Sequence, residues 1–362
     1  MGRLIAGLLT AILVTTVTFA GPRTDTVADS SALDVKVARA VDRGLQFLAR
    51  SQRPDGESPT YAWRAGEEAR AQYVRTPFTA SQILHSLTFV GAHRLTPTIA
   101  QRTIRYLIAH REAPGVWRYY GSDERYYAEV KARFDHPKLP PDVDDTSQAW
   151  AALSEHGHAI PGAALEALRH YRTSSGLFST WMAPSAEISW MGSYERKEDL
   201  VANANVLFAF ARAGQALPEV CTWLTTATRT QTFAKGSVWY PNPLVYAYVV
   251  SRAYKDGPAP CLADAVSGVV PFLVNQQQGD GSWGGDLETA LALVALLNAG
   301  VSGPEVERAI HTLIRRQAAD GGWAIGVLYK GAVLHYGSRA LTTAFVLEAF
   351  GKAAARGKDR PS

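Results

Sequence analysis

One short loop that keeps returning constrains this sequence more than any other feature. Its clearest copies are Gln277-Gln278-Gly279-Asp280-Gly281-Ser282-Trp283 and Gln317-Ala318-Ala319-Asp320-Gly321-Gly322-Trp323. In each, Asp follows Gln by three positions, Gly comes next, and Trp stands six after the Gln. A third copy, Gln52-Arg53-Pro54-Asp55-Gly56, has its Trp63 further on. Weaker versions keep only Gly115 with Trp117, Gly176 with Trp181 and Gly236 with Trp239. The six glycines are 59, 61, 60, 45 and 40 residues apart. Such recurrence marks stacked units, each unable to bury its apolar face alone. Glycine lets the chain turn tightly, Gln and Asp bond helix ends, and Trp packs between units. The loops therefore read as structural ties.

Each tie follows one helical pattern and precedes another. The segments before the ties are Asp34–Ser51, Thr98–Arg111, Pro161–Tyr171, Pro218–Thr230, Cys261–Gln276 and Pro304–Arg316; they are amphipathic, as Glu305, Glu307, Arg308 and Arg315 illustrate. Those after are Pro77–Ala92, Asp144–Glu155, Asp199–Ala213, Pro243–Tyr254, Leu287–Asn298 and Gly337–Ala353, nearly apolar all round. A helix apolar on every side belongs in an interior. The expected fold is all-α: a single (α/α)6 toroid, residues 33–351, with six inner and six outer helices alternating along the chain.

The two ends differ from this body. Arg3 precedes a 17-residue apolar run, Leu4 to Ala20, and a polar, turn-rich Gly21-Pro22-Arg23. Residues 1–20 read as a signal peptide cut before Gly21, or as a membrane anchor at the short limit for a span. Either reading puts the toroid outside the cytoplasm, secreted, periplasmic or held at a membrane. At the other end, residues 352–362 read as a basic, solvated tail. Cys221 and Cys261 are the only cysteines, both near the starts of like helices, and in an exported chain they are a candidate disulfide. The net charge of +4 is scattered rather than gathered, which excludes nucleic acid as an expected partner.

Ties that join outer to inner helices start all six inner helices on one face of the ring. The densest polar start is Pro140-Pro141-Asp142-Val143-Asp144-Asp145-Thr146, where prolines end one segment and three carboxylates open the next. One Asp suffices as a cap, so three crowded together point to chemistry. The other first turns add Asp199, Asn203 and Asn205, Asn242, Asp286, Glu288 and Thr289, and His335, Tyr336 and Ser338. Polar groups converging on an apolar funnel describe a small-molecule site. Asp142, Asp144 and Asp145 are the catalytic candidates; Asp199, Asn203, Glu288, His335 and Tyr336 are the substrate-binding ones. Asp199 and Asp286 also fit plain helix caps, and Trp239, Tyr240, Tyr246 and Tyr248 fit either funnel or core. No HExxH, paired His, Cys cluster, phosphate loop or Gly-x-Ser-x-Gly occurs, so no metal ligand is assigned and no cofactor is expected.

The Gln-x-x-Asp-Gly-x-Trp copies resemble the repeats of squalene–hopene and oxidosqualene cyclases, and Asp142-Val143-Asp144-Asp145-Thr146 resembles their Asp-x-Asp-Asp-Thr acid motif. The resemblance spans Leu33 to Gly351, and protein prenyltransferase β subunits share the architecture. It implies a terpene cyclase-like isomerase in which Asp144 protonates an alkene or epoxide of a polyprenyl lipid and Asp142 and Asp145 flank it. The expected partner is an isoprenoid or another apolar small molecule, with association at a membrane surface an open expectation. Two other functions fit the same ring. One is an exported carbohydrate-active enzyme pairing Asp144 with Asp199 or Glu288; the other is a non-catalytic toroid that holds a lipid or a partner.

Overall fold

The computed structural model describes residues 25–134, 138–194, 197–331 and 333–358; the N-terminal apolar run lies outside the described residues. In chain order the α-helices are α1 (Asp25–Ser51), α2 (Pro77–Leu87), α3 (Thr96–Ala109), α4 (Glu124–Phe134), α5 (Val143–Glu155), α6 (Gly162–His170) and α7 (Ser185–Ile188). They continue with α8 (Leu200–Arg212), α9 (Pro218–Arg229), α10 (Pro243–Lys255), α11 (Ala263–Gln276), α12 (Asp286–Asn298), α13 (Pro304–Arg316) and α14 (Arg339–Lys358). Helices α2, α5, α8, α10, α12 and α14 pack each on the next, and α14 returns to α2, closing an inner ring. Helices α1, α3, α6, α9, α11 and α13 surround it, and α1 touches both α3 and α13, where the chain meets itself. The protein is an (α/α)6 toroid.

Burial follows the sequence pattern. Every residue of α12 except Glu288 is buried, whereas outer α6 buries only the stripe Ala164, Leu165 and Leu168. The ties act through recurring bonds, complete in the Gln277 and Gln317 copies and partial in others. Indole Nε1 of Trp117, Trp283 and Trp323 donates to the carbonyl ten residues earlier, on Leu107, Leu273 and Leu313, at 2.7–2.8 Å. Their backbone N–H groups donate to Thr146, Thr289 and Thr343 at the start of the following inner helix. The glutamine amides reach sideways: Gln52 donates to Ile99 O, Gln277 to Glu305 O, and Gln317 to Ala40 O of α1, which spans the closure of the ring. Gly321 (φ 91°) is needed at its turn, because a Cβ there would lie 2.4 Å from the Arg43 carbonyl oxygen. Cys221 and Cys261 are joined by a disulfide, with Cα atoms 5.9 Å apart, linking α9 to the short turn before α11.

Three features depart from the expectation. A small antiparallel sheet of order β2-β1-β4-β3 stands on the ring, formed by β1 (Thr60–Trp63), β2 (Gln72–Val74), β3 (Tyr329–Lys330) and β4 (His335–Gly337). Tyr61 faces Gly337 and Trp63 faces His335, so the sheet sews the first tie to the approach of α14. Its short strands pair across most of the chain length, which no local periodicity signals. Helices α4 and α7 lie in connections read as irregular. Residues 352–358 belong to α14, with Lys352 paired to Asp256 and Arg356 donating to Val301 O at 2.7 Å, and the rest of the basic end lies outside the described residues. Among the described residues no helix is long and apolar enough to cross a membrane.

Replacing Gln317 with Ala deletes two neutral hydrogen bonds at the ring closure, and we expect it to cost about 1–2 kcal/mol. Trp323→Ala opens a fully buried site and should cost about 3–5 kcal/mol. Urea denaturation of the full chain measures both; equal losses would mean that the glutamine tie carries as much of the closure as the indole.

Candidate active site

Helix α5 begins where Pro140 and Pro141 stop the preceding segment. Asp142 is its N-cap, with Oδ1 accepting the N–H of Asp145 at 2.7 Å, and Thr146 is spent on the tie to Trp117. One of the three carboxylates thus does what an ordinary cap does. The remaining two, Asp144 and Asp145, are buried in the first turn with no cation paired to them.

All three line a cavity of about 240 Å³ at the N-terminal end of the inner ring. The rest of its wall is mainly aromatic: Phe78, Tyr119, Trp181, Trp239, Tyr329 and Tyr336. Tyr329 stacks on Tyr336 with centroids 5.2 Å apart, Phe78 meets Tyr329 edge-on at 4.8 Å, and Trp181 meets Trp239 at 5.6 Å. The phenol groups satisfy one another, Tyr119 with Tyr329 at 2.7 Å and Tyr120 with Tyr336 at 3.1 Å, which leaves ring faces and edges for a guest. Asp142, Asp144 and Asp145 are the only carboxylates on this wall among the described residues.

The three differ electrostatically. Burial raises Asp144 to about 6, with Tyr240 and Asn205 pulling it back by hydrogen bonding and Arg252 by its charge. Asn205 Nδ2 donates to Asp144 Oδ1 at 2.6 Å, and the Tyr240 hydroxyl donates to Oδ2. Asp145 is pushed well above the carboxylate range by burial and by the neighbouring Asp142, and its Oδ2 has no hydrogen-bond partner. Asp142 is also raised, by burial and by Asp144. Crowded carboxylates out of water cannot all ionise, so the site keeps protons at neutral pH. Asp144 is the strongest acid of the set.

Behind Asp144 stands a buried polar chain. Arg252 of α10, fully buried, donates to Asn205 Oδ1 and, through Nη1, to Gln82 Oε1 at 3.0 Å. A guanidinium only donates, so it fixes the Asn205 amide with nitrogen toward Asp144. The amide in turn makes Asp144 Oδ1 an acceptor, as the Tyr240 hydroxyl does Oδ2, and both bonds favour the ionised form. Arg252, Asn205 and Tyr240 are the functional residues that sequence reasoning did not select. Asn205 and Arg252 had one signal each, polarity on an otherwise apolar inner helix, and nothing in the sequence joined them.

Of the expected substrate-binding residues, only Tyr336 reaches the cavity wall. Asp199 caps α8, accepting from Val201 and Ala202, and its Oδ2 holds the Trp239 N–H at 3.0 Å. Asn203 is consumed by the loop before it, bonding both polar groups of Phe178. Glu288 faces Asn242 Nδ2 at 3.5 Å, and His335 packs edge-on to Trp63 within the sheet. None of these four lines the cavity, and Asp199 and Asn203 spend their polar atoms on backbone groups left open at a helix start and a loop.

The chain matches no family model and no curated protein. Among solved structures, it is similar to a protein from Actinoplanes at 21% identity, covering 88% of this chain and 99% of that one, with TM-score 0.65. It is also similar to the type II terpene cyclase MstE from Scytonema in complex with geranylgeranyl dihydroxybenzoate, its substrate, at 16% identity, 90% and 99% coverage and TM-score 0.64. An unsaturated glucuronyl hydrolase specific for heparin shares the fold at 12% identity, 90% and 98% coverage and TM-score 0.56. The fold is that of α/α toroid enzymes, terpene cyclases among them, and it carries more than one chemistry.

Two measurements test the electrostatics. The fold favours protonated Asp144, so its stabilising effect is complete below the unfolded value of 3.8 and is lost as pH rises through about 6. Those two units correspond to about 3 kcal/mol. Asp144→Asn should flatten that part of the pH–stability curve, leaving the variant more stable than wild type at pH 8 by urea denaturation. Arg252→Met should raise the Asp144 pKa, read by carbon-detected NMR titration of aspartate carboxyls.

Proposed function

We propose that this protein is a terpene cyclase-like enzyme that starts cyclisation of an isoprenoid lipid by protonation, with Asp144 as the general acid. The observation that carries the reading is the set of buried, proton-retaining carboxyls facing an aromatic, largely apolar cavity. An alkene is a weak base, so its protonation needs an undissociated acid kept away from water, and Asp144, raised to about 6, supplies it in the fraction still protonated near neutral pH. The O–H bond of the Asp144 carboxyl breaks as the proton bonds to a terminal alkene carbon, leaving a tertiary cation. The next double bond closes on that cation, and a final loss of a proton yields the cyclic product. Tyr119, Trp181, Trp239 and Tyr329 present aromatic rings to the migrating charge. Asp145 and Asp142 oppose ionisation of the set, and Asn205 with Arg252 keeps Asp144 the most acidic member. That MstE holds a geranylgeranyl substrate on this fold supports an isoprenoid ligand here.

The carbohydrate-active alternative needs a second catalytic carboxylate across an open polar groove. Asp199 is committed to three backbone N–H donors, and Glu288 does not line the cavity, so the wall disfavours it. A purely binding role remains the contrast that mutation separates.

Location and surface belong to the same proposal. The N-terminal apolar run and the Cys221–Cys261 disulfide support an exported protein, since structural disulfides persist in oxidising compartments. Trp190 on the cavity wall is 47% exposed, and Val333, beside the lining segment Lys330–Gly331, is 60% exposed; we read them as contacts to a membrane surface from which an apolar substrate enters.

The test is product analysis by gas chromatography–mass spectrometry with a panel of linear polyprenyl lipids. Wild type should yield cyclic isomers, and Asp144→Asn should lower the rate by about 10²–10⁴-fold while the fold persists. Undiminished turnover by Asp144→Asn, or cleavage of unsaturated uronides with no polyprenyl cyclised, would overturn the assignment.

A further inference from the structure

A second buried cluster of titratable side chains lies at the opposite end of the inner ring, near the C-terminal ends of α2, α5 and α10. His85, Asp256 and Glu348 each direct one ligand-type atom to a common point, all within 4.8 Å of one another. His85 Nε2 stands 3.6 Å from Glu348 Oε1 and 4.0 Å from Asp256 Oδ2. Both His85 Nε2 and Glu348 Oε1 lack a hydrogen-bond partner, although their side chains are 1% and 0% exposed. Orphaned polar atoms at such depth are unfavourable.

The other atom of each of these groups is already held. His85 Nδ1 bonds Glu155 Oε2 at 2.7 Å, and Glu348 Oε2 accepts from Ser86 Oγ at 3.0 Å and Tyr248 OH at 3.1 Å. A histidine whose far nitrogen is anchored by a carboxylate is the usual outer arrangement of a metal-bound imidazole. We propose that His85 Nε2, Glu348 Oε1 and Asp256 Oδ2 form a binding site for one divalent transition cation of the zinc class, staple of the closed end of the toroid. One imidazole and two carboxylates match the ligand preference of Zn²⁺, and a tetrahedral ion with bonds of about 2.0–2.2 Å needs donors roughly 3.3–3.5 Å apart. The two His85 separations exceed that range by a few tenths of an ångström and the Asp256 and Glu348 oxygens lie within 4.8 Å, so an ion draws the two carboxylates together by up to about an ångström and leaves a fourth position for water.

Two groups oppose the ion. Lys352 Nζ lies 2.8 Å from both oxygens of Asp256 and 3.9 Å from Glu348 Oε1, so it must give up Oδ2 and keep Oδ1. His85 itself is held protonated: burial pulls it down, but Glu155 and Glu348 outweigh that and raise it to about 9. An ion bound there displaces the proton on Nε2. The charged groups around the imidazole are Glu155 from α5, Arg252 and Asp256 at the end of α10, and Glu348 and Lys352 from α14.

The test is calorimetric titration of chelator-treated full-length protein with ZnCl₂ alone. The expected result is one ion per chain, with Co²⁺ giving a tetrahedral visible spectrum. His85→Ala and Glu348→Gln should each lose at least tenfold in affinity, while Lys352→Met, which removes the competing ammonium, should bind more tightly. Because those variants disturb a buried network, zinc-dependent elevation of the melting temperature is followed in wild type as well. No stoichiometric binding by wild type, or affinity unchanged in both His85→Ala and Glu348→Gln, overturns the site. Neither outcome depends on Asp144 or on cyclisation.

Discussion

The closed inner ring rests on one geometric constraint: each nearly apolar helix needs neighbours on every side, and six of them meet that need only by returning to the first. Closure brings α14 against α2 and α1 against α13, and the Gln317 amide bonded to Ala40 marks the seam. Once the ring is closed, all inner helices start on one face. The orphan N–H groups of those first turns then make that face polar, while the interior below stays apolar. The cavity with its three aspartates is a consequence of this placement rather than an addition to it.

Within that setting the acid site depends on desolvation. Burial alone would hold Asp142, Asp144 and Asp145 protonated and inert. Asn205, Tyr240 and, one step removed, Arg252 restore acidity to a single member, so neighbours in the fold separate three chemically identical groups. Retaining undissociated carboxyls in the interior opposes stability near neutral pH, a burden the ties and the large core offset. The cluster of His85, Glu155, Asp256, Glu348 and Lys352 follows a different rule, with opposite charges alternating so that burial is compensated.

Much of the architecture was legible because it is repetitive. The Gln, Asp, Gly and Trp of each tie recur at fixed spacing, and the structure uses them with the same bonds in each strong copy. Helix ends were less legible: α1 starts at Asp25 and α14 runs to Lys358, since amphipathicity fades gradually where a helix leaves the core. The rim sheet was not visible, for its strands are two to four residues long and pair Tyr61 with Gly337. Among site residues, the aspartate triplet stood out because it exceeds what a cap requires. Asp199, Asn203, Glu288 and His335 looked equivalent in sequence, yet none of them lines the cavity, and Asp199 and Asn203 bond backbone groups instead.

The sequence by itself determined the all-α ring, the alternation of inner and outer helices, the face on which polar groups collect and the stretch Asp142–Thr146 as its densest point. Periodicity and turn chemistry are local, and they survive in a linear reading. Only the tertiary structure decided which polar atoms remain free, which tyrosine and amide reach Asp144, and that a histidine of α2 faces a glutamate of α14. Hydrogen-bond satisfaction and desolvation are properties of a packed interior, where residues separated by 61 or 262 positions become neighbours.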